Sequence, residues 1–277
     1  MIRGPVLGVV LAAFVGACSG GIAASPTVQE PSIGCCDPTA PSVNLTVFAA
    51  SSLKGALDKV ATAYAAATGN TITVSTDSSA ALETQIEQGA PADVFLSADT
   101  TNPAKLVAGG FTSGNPVKFA GNTLVIIVAP GNPAGIATPF DLGRPGVKVI
   151  AAGDDVPITA YATKLVQNLA IAPGAPMGFE RLYAKNVVSK EDNVKAVVAK
   201  VELGEGDAAI VYATDARSSL DTPVIEVTPA SANVPATYAG VVVKASAHQA
   251  DAAGFLEWLA SPDGQAILAT FGFLPPS

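Results

Sequence analysis

The sequence predicts an α/β fold in which helices are layered on mainly parallel sheets. Segments with the apolar pattern of β-strands alternate with segments of helical spacing along most of the chain. Such alternation is typical of parallel sheets with helical crossovers. Apolar residues make up 49% of the 277 residues and charged residues only 14%, which is enough for buried cores and too apolar for a disordered chain.

The first strand and helix are predicted at the start of this alternation. Apolar and polar residues alternate over 45–49, and apolar residues at helical spacing follow over 53–64, with Gly69 as a helix end. Ser52 stands where the strand hands over to the helix, so we predict that it is the N-cap.

A second strand-to-helix turn repeats this arrangement. Ser79 takes the predicted N-cap position before Leu82 and Ile86, and Gly89 ends the helix. A single serine in such a position is more often just a helix cap. Two such turns facing one cleft would direct N–H and hydroxyl donors at one place, which suits a small dehydrated oxyanion.

Further strands and helices follow in order. We predict strands near 93–99, 123–130, 147–151, 187–188, 208–213, 224–227 and 238–243. We predict helices that begin near 102, 138, 160, 194, 249 and 261. Asn102 is the predicted N-cap of the first of these, with Pro103 at the first helical position.

Charge limits the partners of the chain. The net charge is −8 and the isoelectric point is about 4.6. This composition lacks the basic footprint of a nucleic-acid-binding protein. An anionic ligand would have to be held by local dipoles, because the overall charge repels it.

The N-terminus predicts export and a lipid anchor. Residues 1–17 have the positive start and apolar centre of a signal peptide. Small residues lead directly to Cys18, which resembles a bacterial lipobox and implies cleavage and lipidation at that cysteine; the alternative is an ordinary signal peptide with an incidental cysteine. Residues 18–42 are rich in Gly, Pro, Ser and Ala and predict a flexible tether, which includes Cys35 and Cys36. We therefore expect an extracytoplasmic protein anchored to the cell membrane.

Several motifs together resemble one family. They are residues 47–53 (VFAASSL), 78–87 (SSAALETQIE), 89–99 (GAPADVFLSAD), 121–130 (GNTLVIIVAP), 209–216 (AIVYATDA) and 271–273 (FGF). In this order they resemble the periplasmic molybdate-binding proteins of ABC transporters, over roughly residues 43–275.

The resemblance implies a type II periplasmic-binding-protein fold, with two α/β lobes joined by two crossing strands and the ligand in the cleft between them. Lobe 1 would be 43–121 plus 242–277, and lobe 2 would be 122–241. The crossings would lie near 123–128 and 238–243.

The resemblance also implies the ligand and its contacts. The ligand would be molybdate or tungstate, with no cofactor and no metal ion other than the molybdenum or tungsten of the oxyanion. The ligand would be bound by hydroxyl and N–H groups of Ser52 and Ser79, by the N–H groups of Ile158 and Val194, and by the phenol of Tyr212. Asn193 could add an amide contact or simply cap the helix that starts at Val194, and both remain open.

The residues around these contacts predict a cage of dipoles. Lys54, which follows Ser52 and is expected to face solvent, is the one cationic residue we assign to the contact segments. Asp93, Asp99 and the pair at 154–155 are expected to be structural or solvated. In relatives the loop after Pro157 more often has small residues than Ile-Thr, so the pocket wall is expected to differ there.

The predicted function is capture of molybdate, closure of the lobes by a hinge, and delivery to an ABC transporter permease, by a monomer that is not an enzyme. One alternative is a binding protein for sulfate, phosphate or another tetrahedral oxyanion. A serine hydrolase would need His248, the only histidine, and Ser52 and Ser79 lack the Gly-x-Ser-x-Gly motif. A structural lipoprotein without a small ligand is a third alternative.

Overall fold

Ten strands and nine helices form the part of the chain that the computed structural model describes, residues 42–219, 222–227 and 229–276. The strands are β1 (Asn44–Ala50), β2 (Thr71–Asp77), β3 (Val94–Ser97), β4 (Thr112–Asn122), β5 (Leu124–Val128), β6 (Val149–Ala152), β7 (Val187–Glu191), β8 (Ala208–Tyr212), β9 (Val224–Ile225) and β10 (Ala236–Val243). The helices are α1 (Lys54–Thr68), α2 (Ser79–Glu87), α3 (Thr101–Ala108), α4 (Pro157–Ala170), α5 (Phe179–Asn186), α6 (Val194–Glu202), α7 (Ala213–Ser218), α8 (Gln249–Ala260) and α9 (Pro262–Thr270).

The predicted signal peptide, Cys18, Cys35 and Cys36 lie outside the described residues. Within the described ranges, no helix is both long and apolar enough to cross a bilayer.

The strands form two five-stranded sheets. The first has the order β2-β1-β3-β10-β4, in which β1 is parallel to β2 and β3, while β10 is antiparallel to β3 and β4. The second has the order β7-β6-β8-β5-β9, in which β6 is parallel to β7 and β8, while β5 is antiparallel to β8 and β9. Each sheet therefore has three parallel strands and an antiparallel part.

The chain passes between the sheets twice. It leaves the first sheet at Asn122, since β4 ends there and β5 begins at Leu124 in the second sheet. It returns between Ile225 and Ala236, because all of β10 pairs within the first sheet. The sequence-based division placed this return at 241/242, after most of β10.

Buried apolar strands form the cores. Every residue of β5 and of β8 is buried, and these two strands pair antiparallel in the middle of the second sheet. In the first sheet β3 is buried throughout and lies between β1 and β10. Continuous burial is typical of strands whose sheet is covered on both faces by helices. The packed sheets therefore fix the positions of the strand ends.

The predicted helix caps were wrong by a residue or more. Ser52 lies inside a 3₁₀ turn, Ser51–Leu53, that runs directly into α1. Ser78 is the N-cap of α2, because it keeps an extended backbone while its Oγ accepts the Ala81 N–H at 3.2 Å. Ser79 is therefore the first helical residue. Paired serines give no sequence signal for which of the two ends the strand.

The start of α3 was also predicted wrongly. This helix begins at Thr101, and the N–H of Asn102 is already bonded to Asp99 Oδ1 at 3.0 Å. The carboxylate of Asp99 thus takes the capping role predicted for Asn102. Similarly, α4 begins at Pro157 and not near 160, with the proline at the first helical position.

Three elements were missed. The long strand β4 is partly exposed and contains Gly114 and Pro116, so it lacks the apolar pattern of a strand, and its pairing with β10 defines it. Helix α5 follows Gly178, which has a left-handed backbone, and buries mainly Phe179. The short α7 begins at Ala213, the last residue of a predicted strand, and its remaining residues were assigned no element. These elements depend on tertiary partners more than on local pattern.

Candidate functional site

The carboxyl ends of three parallel strands from each sheet meet at one cavity. The first sheet contributes the ends of β1, β2 and β3, and the second sheet the ends of β6, β7 and β8. Ligands of open α/β sheets bind at such strand ends. The cavity volume is only about 10 Å³, far below the roughly 300–1,000 Å³ of pockets for drug-sized ligands. Only a small ligand fits.

The five residues implied by the family resemblance all line this cavity: Ser52, Ser79, Ile158, Val194 and Tyr212. The wall from the first sheet also includes Ser51, Asp77 and Ser78 together with two alanines. The wall from the second sheet also includes the 156–157 turn. The structure thus brings together residues that are up to 160 positions apart in sequence.

Ser52 is held by a buried phenol. Its Oγ lies 3.0 Å from the hydroxyl of Tyr238 on β10, and the side chains of both residues are buried. The 3₁₀ turn places Ser52 at the end of β1, next to the cavity. The hydrogen bond fixes the position of this hydroxyl before any ligand arrives.

Ser79 is held by the backbone of β3. Its Oγ accepts the N–H of Ala98 at 3.1 Å, and only 1% of the residue is exposed. Since that bond uses a lone pair of the oxygen, the hydroxyl hydrogen of Ser79 remains available to an acceptor in the cavity. The N–H of Ser79 is also available, because the first N–H groups of a helix have no partner within it.

Two helices of the second sheet point their N-termini at the same cavity. In α4, Pro157 has no N–H, so Ile158 is the first residue that can donate. In α6, Asn193 Oδ1 accepts the N–H of Ala196 at 3.1 Å, which leaves the N–H of Val194 without a partner inside the helix. Together with α2, three helix N-termini give partial positive charge to the cavity.

Tyr212 supplies a hydroxyl with no partner. It ends β8, is 1% exposed, and its OH has no hydrogen-bond partner among the described residues. Burial raises the pKa of this phenol well above its ordinary value, with nearby Tyr238 adding to the shift. The hydroxyl therefore keeps its hydrogen at neutral pH. A buried hydroxyl that faces a cavity without a partner indicates a ligand contact.

Among the residues that the structure describes, no lysine or arginine lines the cavity. Lys54 is exposed on α1, as predicted. The sequence analysis overlooked Lys195, which directly follows Val194. Its Nζ lies 2.9 Å from Asp215 Oδ1 and donates to Ser218 Oγ at 2.9 Å, so its charge is directed away from the ligand space.

Asp215 is fully buried in α7, next to the site. Burial raises the pKa of its carboxyl, and the ammonium of Lys195 opposes this shift. The pair joins the start of α6 to α7. No local sequence pattern indicates this pair, because the partners are 20 residues apart on different helices.

Asp77 and Asn193 connect the two walls of the cavity. Asp77, at the end of β2, accepts from Asn193 Nδ2 at 3.3 Å and from the Ser78 N–H at 2.7 Å. The oxygen of the Asn193 amide caps α6, so the structure shows the capping role and directs the amide nitrogen to Asp77. Within the described ranges Asp77 is the one carboxylate in the lining, and no sequence pattern indicated it.

The other carboxylates singled out in the sequence have structural partners. Asp93 accepts the Thr46 N–H at 2.7 Å and the Ser246 hydroxyl at 2.5 Å. Asp99 accepts from Ser97 Oγ at 2.7 Å as well as from Asn102. Among the described residues no group of three or more His, Cys, Asp or Glu side chains could hold a metal ion.

His248, which a hydrolase would need as its base, is exposed immediately before α8 and does not line the cavity.

A family profile of bacterial extracellular solute-binding proteins matches residues 45–274. The chain belongs to this family. As a solute-binding protein it serves transport and not catalysis, and its place is outside the cytoplasm. The fold predicted from the sequence is confirmed by the two sheets and by related solved structures.

The relatives of this solute-binding protein include molybdate-binding proteins, which confirms the resemblance. It is 34% identical over 249 residues to the molybdate-binding protein ModA of Mycobacterium tuberculosis, covering 90% of this chain and 91% of the relative. The periplasmic molybdate-binding protein of Azotobacter vinelandii superposes with a TM-score of 0.71 at 26% identity, covering 84% of this chain and all of the other.

The fold alone is shared more widely. The sulfate-binding protein SubI of Mycobacterium tuberculosis superposes with a TM-score of 0.75 at 21% identity, covering 84% of this chain and 87% of that structure. This likeness shows a common fold only.

Proposed function

We propose that this chain captures molybdate, and also tungstate, and delivers it to the permease of an ABC transporter. The observation that carries the proposal is the cavity itself. Three helix N-termini, two serine hydroxyls and the unpartnered hydroxyl of Tyr212 converge on a small space that no cationic side chain lines. Such a site offers donors to every side of a small oxyanion.

The energetics favour this kind of site for a tetrahedral dianion. Burying such an ion costs a large desolvation energy unless its oxygens are hydrogen-bonded. Hydrogen bonds to a charged acceptor are stronger than neutral ones, and helix N-termini add favourable dipoles. The relatives from Mycobacterium tuberculosis and Azotobacter vinelandii, both described as molybdate-binding, support molybdate as the ion.

We assign the ligand contacts to Ser52, Ser79, Ile158, Val194 and Tyr212. The first two lie at strand ends of the first sheet, and the last three at strand or helix ends of the second. The two-lobe division also remains a proposal, with each lobe built on one sheet. We propose its second boundary between Ile225 and Ala236, because all of β10 pairs within the first sheet.

Delivery would follow from closure of the lobes around the ion. The two connections between the sheets would act as the hinge. We further propose that the chain is monomeric and that lipidation of Cys18 holds it at the outer side of the cell membrane, with residues 18–42 as the tether. Recovery of a Cys18→Ala variant in the membrane fraction, in the same amount as the original chain, would argue against the anchor.

Thermal unfolding of the purified protein tests the ligand. Molybdate, tungstate, sulfate and phosphate are added in turn, with sodium chloride at equal ionic strength as the control. A ligand that binds only the folded state stabilises it by about 2.7 kcal/mol at a hundredfold excess over Kd. We expect a clear rise in Tm with molybdate and tungstate and none with the other two.

The other outcomes are also decisive. A rise with sulfate or phosphate, and none with molybdate, would keep oxyanion capture and replace the ligand. Sulfate tests the size of the site, because it is a tetrahedral dianion like molybdate but smaller. No rise with any of the four anions would remove the proposal and leave Ser52 and Ser79 as structural residues.

A further inference from the structure

A buried chain of hydrogen bonds runs behind Ser52, away from the cavity. Ser52 Oγ lies 3.0 Å from the hydroxyl of Tyr238, and that hydroxyl lies 3.4 Å from Asn122 Nδ2. The same nitrogen donates to Thr214 Oγ1 at 2.9 Å. All four residues are buried. The chain therefore joins the first sheet, the connection between the sheets, and α7.

The direction of these hydrogen bonds is set by the backbone at Asn122. The N–H of Thr123 donates to Asn122 Oδ1 at 3.0 Å. Because an N–H can bond only to the oxygen of the amide, the nitrogen of Asn122 must face Thr214 and Tyr238. Asn122 is thus a donor to the hydroxyl of Tyr238.

The direction of the hydrogen bond between Tyr238 and Ser52 follows from that at Asn122. It is fully buried, and Ser52 Oγ is the acceptor within reach of its hydroxyl hydrogen in the described ranges. A buried O–H without an acceptor would be costly. Burial also raises the pKa of Tyr238 well above its ordinary value, so the phenol keeps the hydrogen. Tyr238 therefore donates to Ser52.

Ser52 then accepts from Tyr238, which leaves its own hydrogen available to an acceptor in the cavity. Its own hydroxyl hydrogen finds no acceptor among the other described groups, and the side chain lines the cavity. We infer that Asn122 is a positioning residue that, through Tyr238, fixes the hydroxyl of Ser52 as a donor toward the bound oxyanion. The ligand named in this inference rests on the proposed function. The direction of the hydrogen bonds does not depend on that function.

The consequence for binding follows from the charge of the ligand. An oxyanion that has lost its protons offers only acceptor oxygens, so a serine lone pair turned toward it would be repelled. The hydroxyl of Ser79 likewise accepts a hydrogen bond, from the N–H of Ala98, so its own hydrogen is available to the ligand. For Ser52 the direction of the hydrogen bond is set by side chains, so a substitution can reverse this direction.

Neutron diffraction from crystals of the ligand-free, deuterated protein tests the direction without any ligand. We expect nuclear density for the deuterium of Tyr238 on the line toward Ser52 Oγ. Density for the deuterium of Ser52 on the line toward Tyr238 would overturn the inference. This result holds whether or not the protein binds molybdate, so it separates failure of the inference from failure of the proposed function.

Substitution tests the effect on binding. In Asn122→Asp one carboxylate oxygen still accepts from Thr123, and the other can accept from Tyr238 and Thr214. The hydrogen of Tyr238 would then turn toward residue 122, and Ser52 would donate to Tyr238 with a lone pair facing the ligand. We expect Kd for molybdate, measured by calorimetry, to rise by at least about tenfold.

A double-mutant cycle separates this effect from that of the added charge. Tyr238→Phe removes the relay and leaves Ser52 free to turn its hydrogen forward, so we expect a loss of only a few-fold. Adding Asn122→Asp to Tyr238→Phe should then cost much less than it does alone. An equal cost in both backgrounds would show that the charge acts directly and would overturn the positioning role.

Tyr64→Phe is the matched control. Tyr64 is buried in α1 against Phe255 and Trp258 and does not line the cavity. The Tyr64→Phe variant should bind molybdate with the same Kd as the original chain. A loss in this control equal to that of Tyr238→Phe would indicate a general effect of removing a buried phenol, contrary to the inference.

Discussion

Tyr212 has a buried hydroxyl that costs stability and that we propose as a ligand contact. Its hydroxyl is buried without a partner in the described residues, next to the edges of two further rings, Tyr161 and Tyr238. A buried polar group left without a hydrogen bond costs about 1–3 kcal/mol. The surrounding rings hold the phenol in place, so the group is ready for an acceptor in the cavity.

Tyr212→Phe should therefore have opposite effects on stability and binding. Without ligand, Tm should be unchanged or higher, because an unpartnered polar group is removed. Binding of molybdate should weaken by about 1.5–3 kcal/mol, which is about 10–150-fold in Kd. Calorimetry and thermal unfolding of the same sample measure both. A large fall in Tm with unchanged Kd would show that the hydroxyl is structural.

At the scale of elements, helix starts determine the site. The helices α2, α4 and α6 each begin directly after a strand and a short turn, so their free N–H groups lie at the sheet edge. The start of α6 is fixed twice. Asn193 caps the helix through its oxygen and reaches Asp77 on the other wall through its nitrogen. The same amide thus sets the position of Val194 and joins the two walls.

Substitutions at Asn193 can separate these two roles. Asn193→Ser keeps a capping oxygen but loses the donor to Asp77, and we expect a roughly twofold to tenfold rise in Kd for molybdate. Asn193→Asp also keeps the cap, but it places a second carboxylate beside Asp77, so the loss should be larger. Thermal unfolding checks that the helix cap is retained.

A charge swap is the control for this prediction. Asp77→Asn combined with Asn193→Asp restores a donor and an acceptor in reversed order, so affinity should recover relative to Asn193→Asp alone. If Asn193→Ser binds molybdate with the same Kd as the original chain, the contact between the walls does not contribute to binding.

For the whole molecule, the sign of the net charge opposes the proposed ligand. The chain carries a net charge of −8, and the cavity lining holds a carboxylate but no cationic side chain. Long-range forces between a dianion and this protein are therefore repulsive, while hydrogen bonds at short range are attractive. Added salt screens the long-range repulsion, but it hardly affects hydrogen bonds inside a desolvated site.

The association rate of molybdate should then rise with ionic strength, by up to about tenfold between low and moderate salt. Stopped-flow measurement of tyrosine or tryptophan fluorescence would follow the association rate. The dissociation rate is the internal control, because it should change little with salt. A rate that falls steeply with added salt would indicate a cationic entrance and contradict the dipole cage.

The sequence by itself determined the fold class, and the family resemblance of its motifs indicated five of the residues that line the cavity. The alternation of strands and helices predicted the sheets, and the motifs around Ser52, Ser79 and Tyr212 indicated residues that the structure brings to one place. This was possible because strand ends and helix starts have local signals, and because parallel strands bring their carboxyl ends to one edge.

Only the tertiary structure decided which groups surround those residues. The strand β4 exists because it pairs with β10, and Asn122, Asp77 and Lys195 acquire their partners across 20 to 116 positions of sequence. Hydrogen bonds and ion pairs act over a few ångströms in space, so no local pattern encodes them. The donors are thus visible in the sequence, whereas their orientation depends on contacts between the two sheets.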